Sequence, residues 1–366
     1  MRFQDVLGQE YLKKHLITTA DNKRIPHAQL FVGKAGSGTL AMALAYARYV
    51  LCGTDNVACN MKVDAYSHPD LHFVFPTIAG KEDFQDLFRE FLKETPYGTL
   101  FDWYKKIGEL GKQGEIRVGV VQNIIKSTYL KSYEGGYRIF IIWEADKMNV
   151  ATANKLLKII EEPPKNTLII LTTEDLGAIL QTIRSRCQIL YLNQLPEQVI
   201  AKELNGRFNI SEEEAQLIAH QSQGSYTKAL ELVHQEEDNS FDNWFVEWVR
   251  TAFKAKGTPS TIIALMDWSE KLSKEKIEVQ KRFLEYCIEV FRQAMLLNYQ
   301  ATSLVYLHPK VQGFELSKFA KFVNSNNIES IYKELSQAIY HIERNGNAKM
   351  IFTDLSIKLT RLIHQN

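Results

Sequence analysis

Residues 31–40 read FVGKAGSGTL, and Gly33, Gly36 and Gly38 carry the outline of a phosphate-binding loop. In such a loop backbone N–H groups surround the phosphates. A lysine after the last glycine neutralises them, and the next hydroxyl holds Mg²⁺. Here those two positions are Thr39 and Leu40. Thr39 supplies no cation and Leu40 binds no metal. Lys34 lies at the second position of the motif, with nothing to carry its ammonium to the same place. Bare N–H groups at a helix N-terminus keep a weak capacity for an anion.

A nucleotide site also needs an apolar strand ending in acidic residues. The stretch IIWEAD (141–146) has that form, but Trp143 stands where the magnesium-directing aspartate belongs. Glu144 survives beside it and could orient a water, yet no phosphate cation or metal ligand accompanies it. Asp146 reads as a solvated or helix-capping carboxylate. Two lesions in one mechanism predict that the chain does not hydrolyse ATP on its own.

The elements that must hold these residues follow from the apolar pattern. HAQLFVG (27–33), DLHFVFP (70–76), RIFIIWEADKM (138–148), TLIILTT (167–173) and QILYLNQL (188–195) are apolar runs of strand length. Between them lie helical stretches, including TLAMALAYARYVLCG (39–53) and ATANKLLKIIEEPP (151–164), the latter stopped by two prolines. Continuous apolar strands alternating with helices predict an α/β domain with a parallel sheet covered on both faces. Beyond about residue 195 the strand signals cease. Three short helices follow, with Ser211 and Glu214 in a capping-box pattern, then an acidic stretch at 234–243 and an all-helical remainder. The expected domains are an α/β domain at 1–195, a small helical lid at 196–238 and an all-α C-terminal domain at 239–366.

The 366 residues exceed one ordinary core, and 45% apolar with 24% charged content describes a soluble globular chain. A net charge of +1 gives no sign of a strongly electrostatic nucleic-acid binder. The N-terminus lacks the apolar core of a signal peptide, and the apolar runs fall short of the roughly 18 residues of a membrane span, so a cytoplasmic protein is expected. The four cysteines, Cys52, Cys59, Cys187 and Cys287, are scattered, and no disulfide is expected to be required. Lys and Arg clusters such as KLSKEK (271–276) read as solvated helix faces.

LLKIIEEPP (156–164) followed by IRSRCQ (183–188) is a specific pairing. With FQDVLGQE (3–10), PHAQLF (26–31), HPDLHFVFP (68–76) and SYEGGYRIFIIWEADKMN (132–149), it makes the first 240 residues or so resemble the clamp-loader branch of the AAA+ proteins. Within that branch the chain is most similar to the delta-prime subunits of bacterial DNA polymerase III. That resemblance implies an AAA+ core, a helical lid and a helical collar used for oligomerisation. It also implies a subunit whose own ATP site is degenerate, acting as a stator beside the gamma/tau ATPase and the delta subunit in a ring that loads the sliding clamp during DNA replication. Primer–template DNA would be met by non-specific phosphate contacts at most. No cofactor is implied for this chain, because the ATP sits on the neighbour.

The resemblance assigns the SRC motif, Ser185, Arg186 and Cys187, the role of offering Arg186 across a subunit boundary to that ATP. A planar, permanent cation would thus be placed where charge develops on the γ-phosphate. Arg184 reads as a surface or backbone-binding arginine and Cys187 as a small buried residue. Active relatives place an arginine in the lid within a GS-x-R-x-A-L pattern; here GSYTKAL (224–230) has Thr227 at that position, and Lys228 is one residue off. Relatives also carry a four-cysteine zinc module. Cys52 and Cys59 match its first two ligands, but Lys62 and Ala65 stand where cysteines should continue, and two thiolates are too few for structural zinc. His68 and His72 read as structural, zinc is not expected, and the insertion (about 52–66) should survive as a loop. The alternatives are an ATP-hydrolysing clamp-loader motor or repair-associated AAA+ ATPase with a non-standard loop, and a free-standing scaffold.

Overall fold

A computed structural model describes residues 1–54, 56–78, 84–109, 112, 114–119, 121, 132–134, 136–234, 240–255 and 259–365. It divides into two compact units, Met1–His234 and Gln235–Asn366. The three helices expected to form a separate lid belong to the first unit.

That unit is built on five strands: β1 (Ala28–Val32), β2 (Leu71–Val74), β3 (Arg138–Ile142), β4 (Thr167–Thr173) and β5 (Gln188–Tyr191). Their order is β2-β3-β4-β1-β5, and every neighbouring pair is parallel. Leu30 lies level with Leu171 on one side and Ile189 on the other. All residues of β1, β3 and β4 are buried, because successive side chains point to opposite faces and both faces are covered. Phe31, Ile139, Ile141, Leu168 and Ile170 join one core; Leu30, Phe140, Ile142, Ile169 and Leu171 join the other.

The helices of this unit are α1 (Glu10–Asp21), α2 (Thr39–Cys52), α3 (Val57–Asp64), α4 (Gln85–Glu94), α5 (Leu100–Lys106), α6 (Val150–Glu161), the single turn α7 (Gln181–Arg184), α8 (Glu197–Phe208), α9 (Glu212–Ser222) and α10 (Tyr226–His234). Helix α2 is apolar almost all round, and Leu40 through Arg48 are buried in consequence. Helix α6 starts at Asn149, whose side chain accepts the Thr152 N–H, and Pro163 and Pro164 follow its end. It packs Leu156, Ile159 and Ile160 on the second face of the sheet.

The expectation of a loop at 52–66 is corrected: α3 fills it. Asn56 caps its N-terminus by accepting the Cys59 N–H at 3.1 Å, and alanine, methionine and lysine within it favour a helix. Helices α4 and α5 had no counterpart in the sequence pattern. Phe88, Phe91 and Trp103 pack there as a buried aromatic cluster.

The second unit contains only helices among its described residues, of which α11 (Ser240–Lys254), α12 (Pro259–Ser273), α13 (Ile277–Asn298), α14 (Leu316–Ala320), α15 (Ile328–Glu343) and α16 (Ala348–Leu362) are the principal ones. Trp248, Trp268, Phe283 and Phe291 are in its core, with the two indoles stacked at 5.1 Å. Among the described residues no helix is long and apolar enough to cross a membrane.

Candidate functional site

In a parallel sheet all strand C-termini reach one edge, and that edge is where α/β proteins bind ligands. Gly33, Trp143 and Glu174 each follow directly on a strand end there. The glycine loop has the expected strand–loop–helix setting. Gly36 and Gly38 both take positive φ, 76° and 94°, and the Gly33 N–H donates to the Thr173 carbonyl at 3.1 Å.

Helix α10 lies directly on this loop. The Tyr226 N–H donates to the Gly36 carbonyl at 3.1 Å, and a Cβ on Gly36 would stand 2.2 Å from Ser225 Oγ. Gly38 is faced by Tyr97, whose ring would be 2.9 Å from a Cβ there. Tyr97 and Tyr226 pack edge to face at 5.1 Å. The Tyr97 hydroxyl accepts the Leu7 N–H at 2.7 Å, its carbonyl accepts the Thr227 hydroxyl, and Arg207 donates to the Tyr226 hydroxyl at 3.2 Å. Tyr226 is only 2% exposed. Thr227 is thus a buried strut, while Lys228 is exposed. Leu40 is buried in the core, Lys34 is exposed, and Ser37 Oγ is buried without a hydrogen-bond partner.

Trp143 is 1% exposed, its ring 5.6 Å from Phe88 and 5.5 Å from Phe91. The magnesium position is therefore filled by core. Glu144 takes a left-handed backbone, φ 53°, and is 6% exposed. Burial, with Glu174 and Asp146 beside it, pushes its carboxyl well above the usual carboxylate range. Glu174 is pushed up by burial and Asp146, against the opposing pull of Lys147, Lys34 and the Ala35 N–H. The reading of Asp146 as solvated or capping is corrected. Its side chain is largely buried, accepting the Thr173 hydroxyl at 2.9 Å and pairing with Lys147 at 2.8 Å, because β4 ends in threonine beside it.

Arg186 sits elsewhere. It precedes β5 by two residues, at the N-terminal edge of the sheet, whereas Gly33 follows β1 at the C-terminal edge. At about 3.3 Å per residue along the strands, the two lie on the order of 15 Å apart. The Arg186 side chain is 40% exposed; Nε pairs with Glu161 Oε1 at 2.9 Å and Nη1 donates to the Thr182 carbonyl at 3.0 Å and to Ser185 Oγ at 3.3 Å. Arg184 is half-exposed, with its Nε buried and without a hydrogen-bond partner among the described residues. Cys187 is half-buried rather than fully buried, and burial pushes its thiol up to about 12, which makes it a poor nucleophile.

The cysteine expectation is also corrected. Cys52 and Cys59 form a disulfide, since the end of α2 and the first turn of α3 bring their Cα atoms to 5.5 Å. Cys59, buried His68 and Glu134 come close together as a possible metal group. They do not fit zinc. Both sulfurs are spent in the disulfide. His68 Nδ1 accepts the Asp70 N–H at 3.1 Å, which leaves the proton on Nε2, 3.3 Å from Glu134, and Glu134 also pairs with Lys62. Ala65 ends α3. His72 stacks on Phe140 at 4.8 Å, and burial lowers its pKa.

Residues 8–196, just over half of the chain, match the family described as DNA polymerase III, delta subunit. The chain belongs to this clamp-loader family. It is 30% identical over 235 residues to DNA polymerase III subunit delta' of Bacillus subtilis, an alignment covering 63% of this chain and 60% of that one. Against subunit delta' of Escherichia coli it is 24% identical over 98% of this chain and 96% of the relative. Against subunit gamma of Buchnera aphidicola it is 25% identical over 95% and 92%. Similarity of this kind is shared between delta' and gamma subunits.

Sequence reasoning singled out Arg186, Thr39, Leu40, Trp143 and Thr227 but missed Tyr97, Tyr226, Glu174 and Glu161. Tyr226 was within reach, being adjacent to Thr227 in the lid motif. Tyr97 comes from a segment with no motif, and only tertiary folding brings it to Gly38.

Proposed function

We propose that this chain is a non-catalytic clamp-loader subunit of the delta-prime type. It presents Arg186 to ATP held by an adjacent gamma/tau subunit, in an assembly that also contains a delta subunit and acts on the sliding clamp during replication. The helical second unit supplies the collar, and the protein works in the cytoplasm without zinc or a nucleotide of its own. DNA would be met, if at all, through phosphates.

The observation that carries this reading is the separation of the two halves of the nucleotide chemistry. The half-exposed guanidinium lies at the sheet edge opposite the chain's own phosphate loop. Arg186 is out of reach of a nucleotide in its own loop, and it suits one bound to a neighbour. The loop gives the complementary support: α10, Tyr97 and Tyr226 close over it, and the cation and both metal-directing groups are absent.

A motor reading draws on the 25% identity to a gamma subunit. Purified chain assayed with Mg²⁺ and ATP separates the two. The stator reading expects no turnover alone and co-purification with gamma/tau and delta. Mg²⁺-dependent hydrolysis by the isolated chain would overturn it in favour of the motor.

A further inference from the structure

Glu161 is the last residue of α6, where a carboxylate meets the negative end of the helix dipole. Such a position is tolerated when a cation lies against it, and the cation here is Arg186, Nε to Oε1 at 2.9 Å. The pair is not a stability device. Both side chains are nearly half exposed, at 40% and 46%, and pairs this wet add little to folding.

What the contact fixes is the plane of the guanidinium. Glu161 pairs with Nε as an ion pair, and Nη1 donates to the Thr182 carbonyl and Ser185 Oγ. Nη2 makes no hydrogen bond among the described residues. Contacts from two elements, the end of α6 and the turn of α7, therefore hold the guanidinium while its side chain stays 40% exposed.

We propose that Glu161 is a positioning residue for Arg186. It holds the guanidinium so that Nη2 is presented to a phosphate oxygen on another chain. An arginine so held has its side-chain freedom already restricted, which is the condition for a donor to act on developing charge without reorganising. Glu161 touches no nucleotide. The inference rests on the proposed trans role of Arg186.

The test uses the full chain assembled with its gamma/tau and delta partners, with only the ATP site facing Arg186 left competent. Glu161→Ala should slow hydrolysis at that site about tenfold in kcat while leaving KM for ATP within about twofold, as expected when a group active only in the transition state loses its aim. The thermal midpoint should move by less than about 2 °C, because the pair is exposed. Glu161→Gln keeps a neutral acceptor for Nε and should recover most of the rate. In an Arg186→Ala background Glu161→Ala should have no further effect. Failure of Arg186→Ala to slow hydrolysis would remove the finger itself. A normal rate in Glu161→Ala beside a slow Arg186→Ala would overturn the positioning role alone. So would a Glu161→Gln rate as low as that of alanine, or a full additional loss from Glu161→Ala without Arg186.

Discussion

Tyr226 and Gly36 are joined backbone to backbone: the Tyr226 N–H donates to the Gly36 carbonyl at 3.1 Å, at a point where a Cβ on Gly36 would collide with Ser225 Oγ at 2.2 Å. The first turn of α10 is thus seated directly on the glycine loop. Gly36 also needs its positive φ of 76°.

Gly36→Ala should therefore cost about 1–3 kcal/mol, through backbone strain and the displaced Ser225. Thermal unfolding of the full chain should show the first transition lowered by roughly 2–4 °C per kcal/mol. An unchanged melting profile would mean that the loop and α10 are not seated together.

Glu144 gives a pH signature. Its folded pKa is raised above the ordinary 4.5 by burial and by Glu174 and Asp146. The folded state then keeps a proton that the unfolded state releases, so stability falls as pH rises from about 4.5 toward the folded pKa and levels off above it. Glu144→Gln replaces the carboxyl with a non-titrating isostere and removes that contribution. In urea titrations the variant should gain on the wild type as pH is raised from 4.5, and a gap that stays constant with pH would show that Glu144 is ionised in the folded protein.

The Cys52–Cys59 disulfide closes a short loop, with a sequence separation of 7. Reduction should cost about 2 kcal/mol on the loop-closure account. Thiol titration of denatured, unreduced protein should detect two of the four cysteines, Cys187 and Cys287, and all four after reduction. Four reactive thiols before reduction would contradict the pairing.

Much of the core was readable in the sequence because burial on both faces leaves long apolar runs. RIFII and TLIILTT could be little else than central strands, and α2 is apolar all round. Thr39, Leu40 and Trp143 were readable because a motif fixes what each position must do. The roof over the loop was not, since Tyr97 lies outside any motif and meets Gly38 only after folding. The brace on Arg186 was hidden likewise: Glu161 is 25 positions away, and the antiparallel run of α6 against the sheet is what returns it to the N-terminal edge. At 57–64 alanine, methionine and lysine supply helix propensity that the count of zinc ligands does not register. The disulfide is hidden because compartment and cysteine count say nothing about Cα separation.

The central claim is that Arg186 acts on a nucleotide bound to another chain. Its most direct test is Arg186→Ala in the reconstituted assembly, with the facing ATP site as the only competent one. Hydrolysis at that site should fall by about 10³-fold or more, the range for loss of an arginine finger, while the assembly forms and the subunit melts as before. Arg186→Lys should restore little, since a point charge does not reproduce a braced planar donor. Undiminished hydrolysis by a fully assembled Arg186→Ala complex would contradict the account.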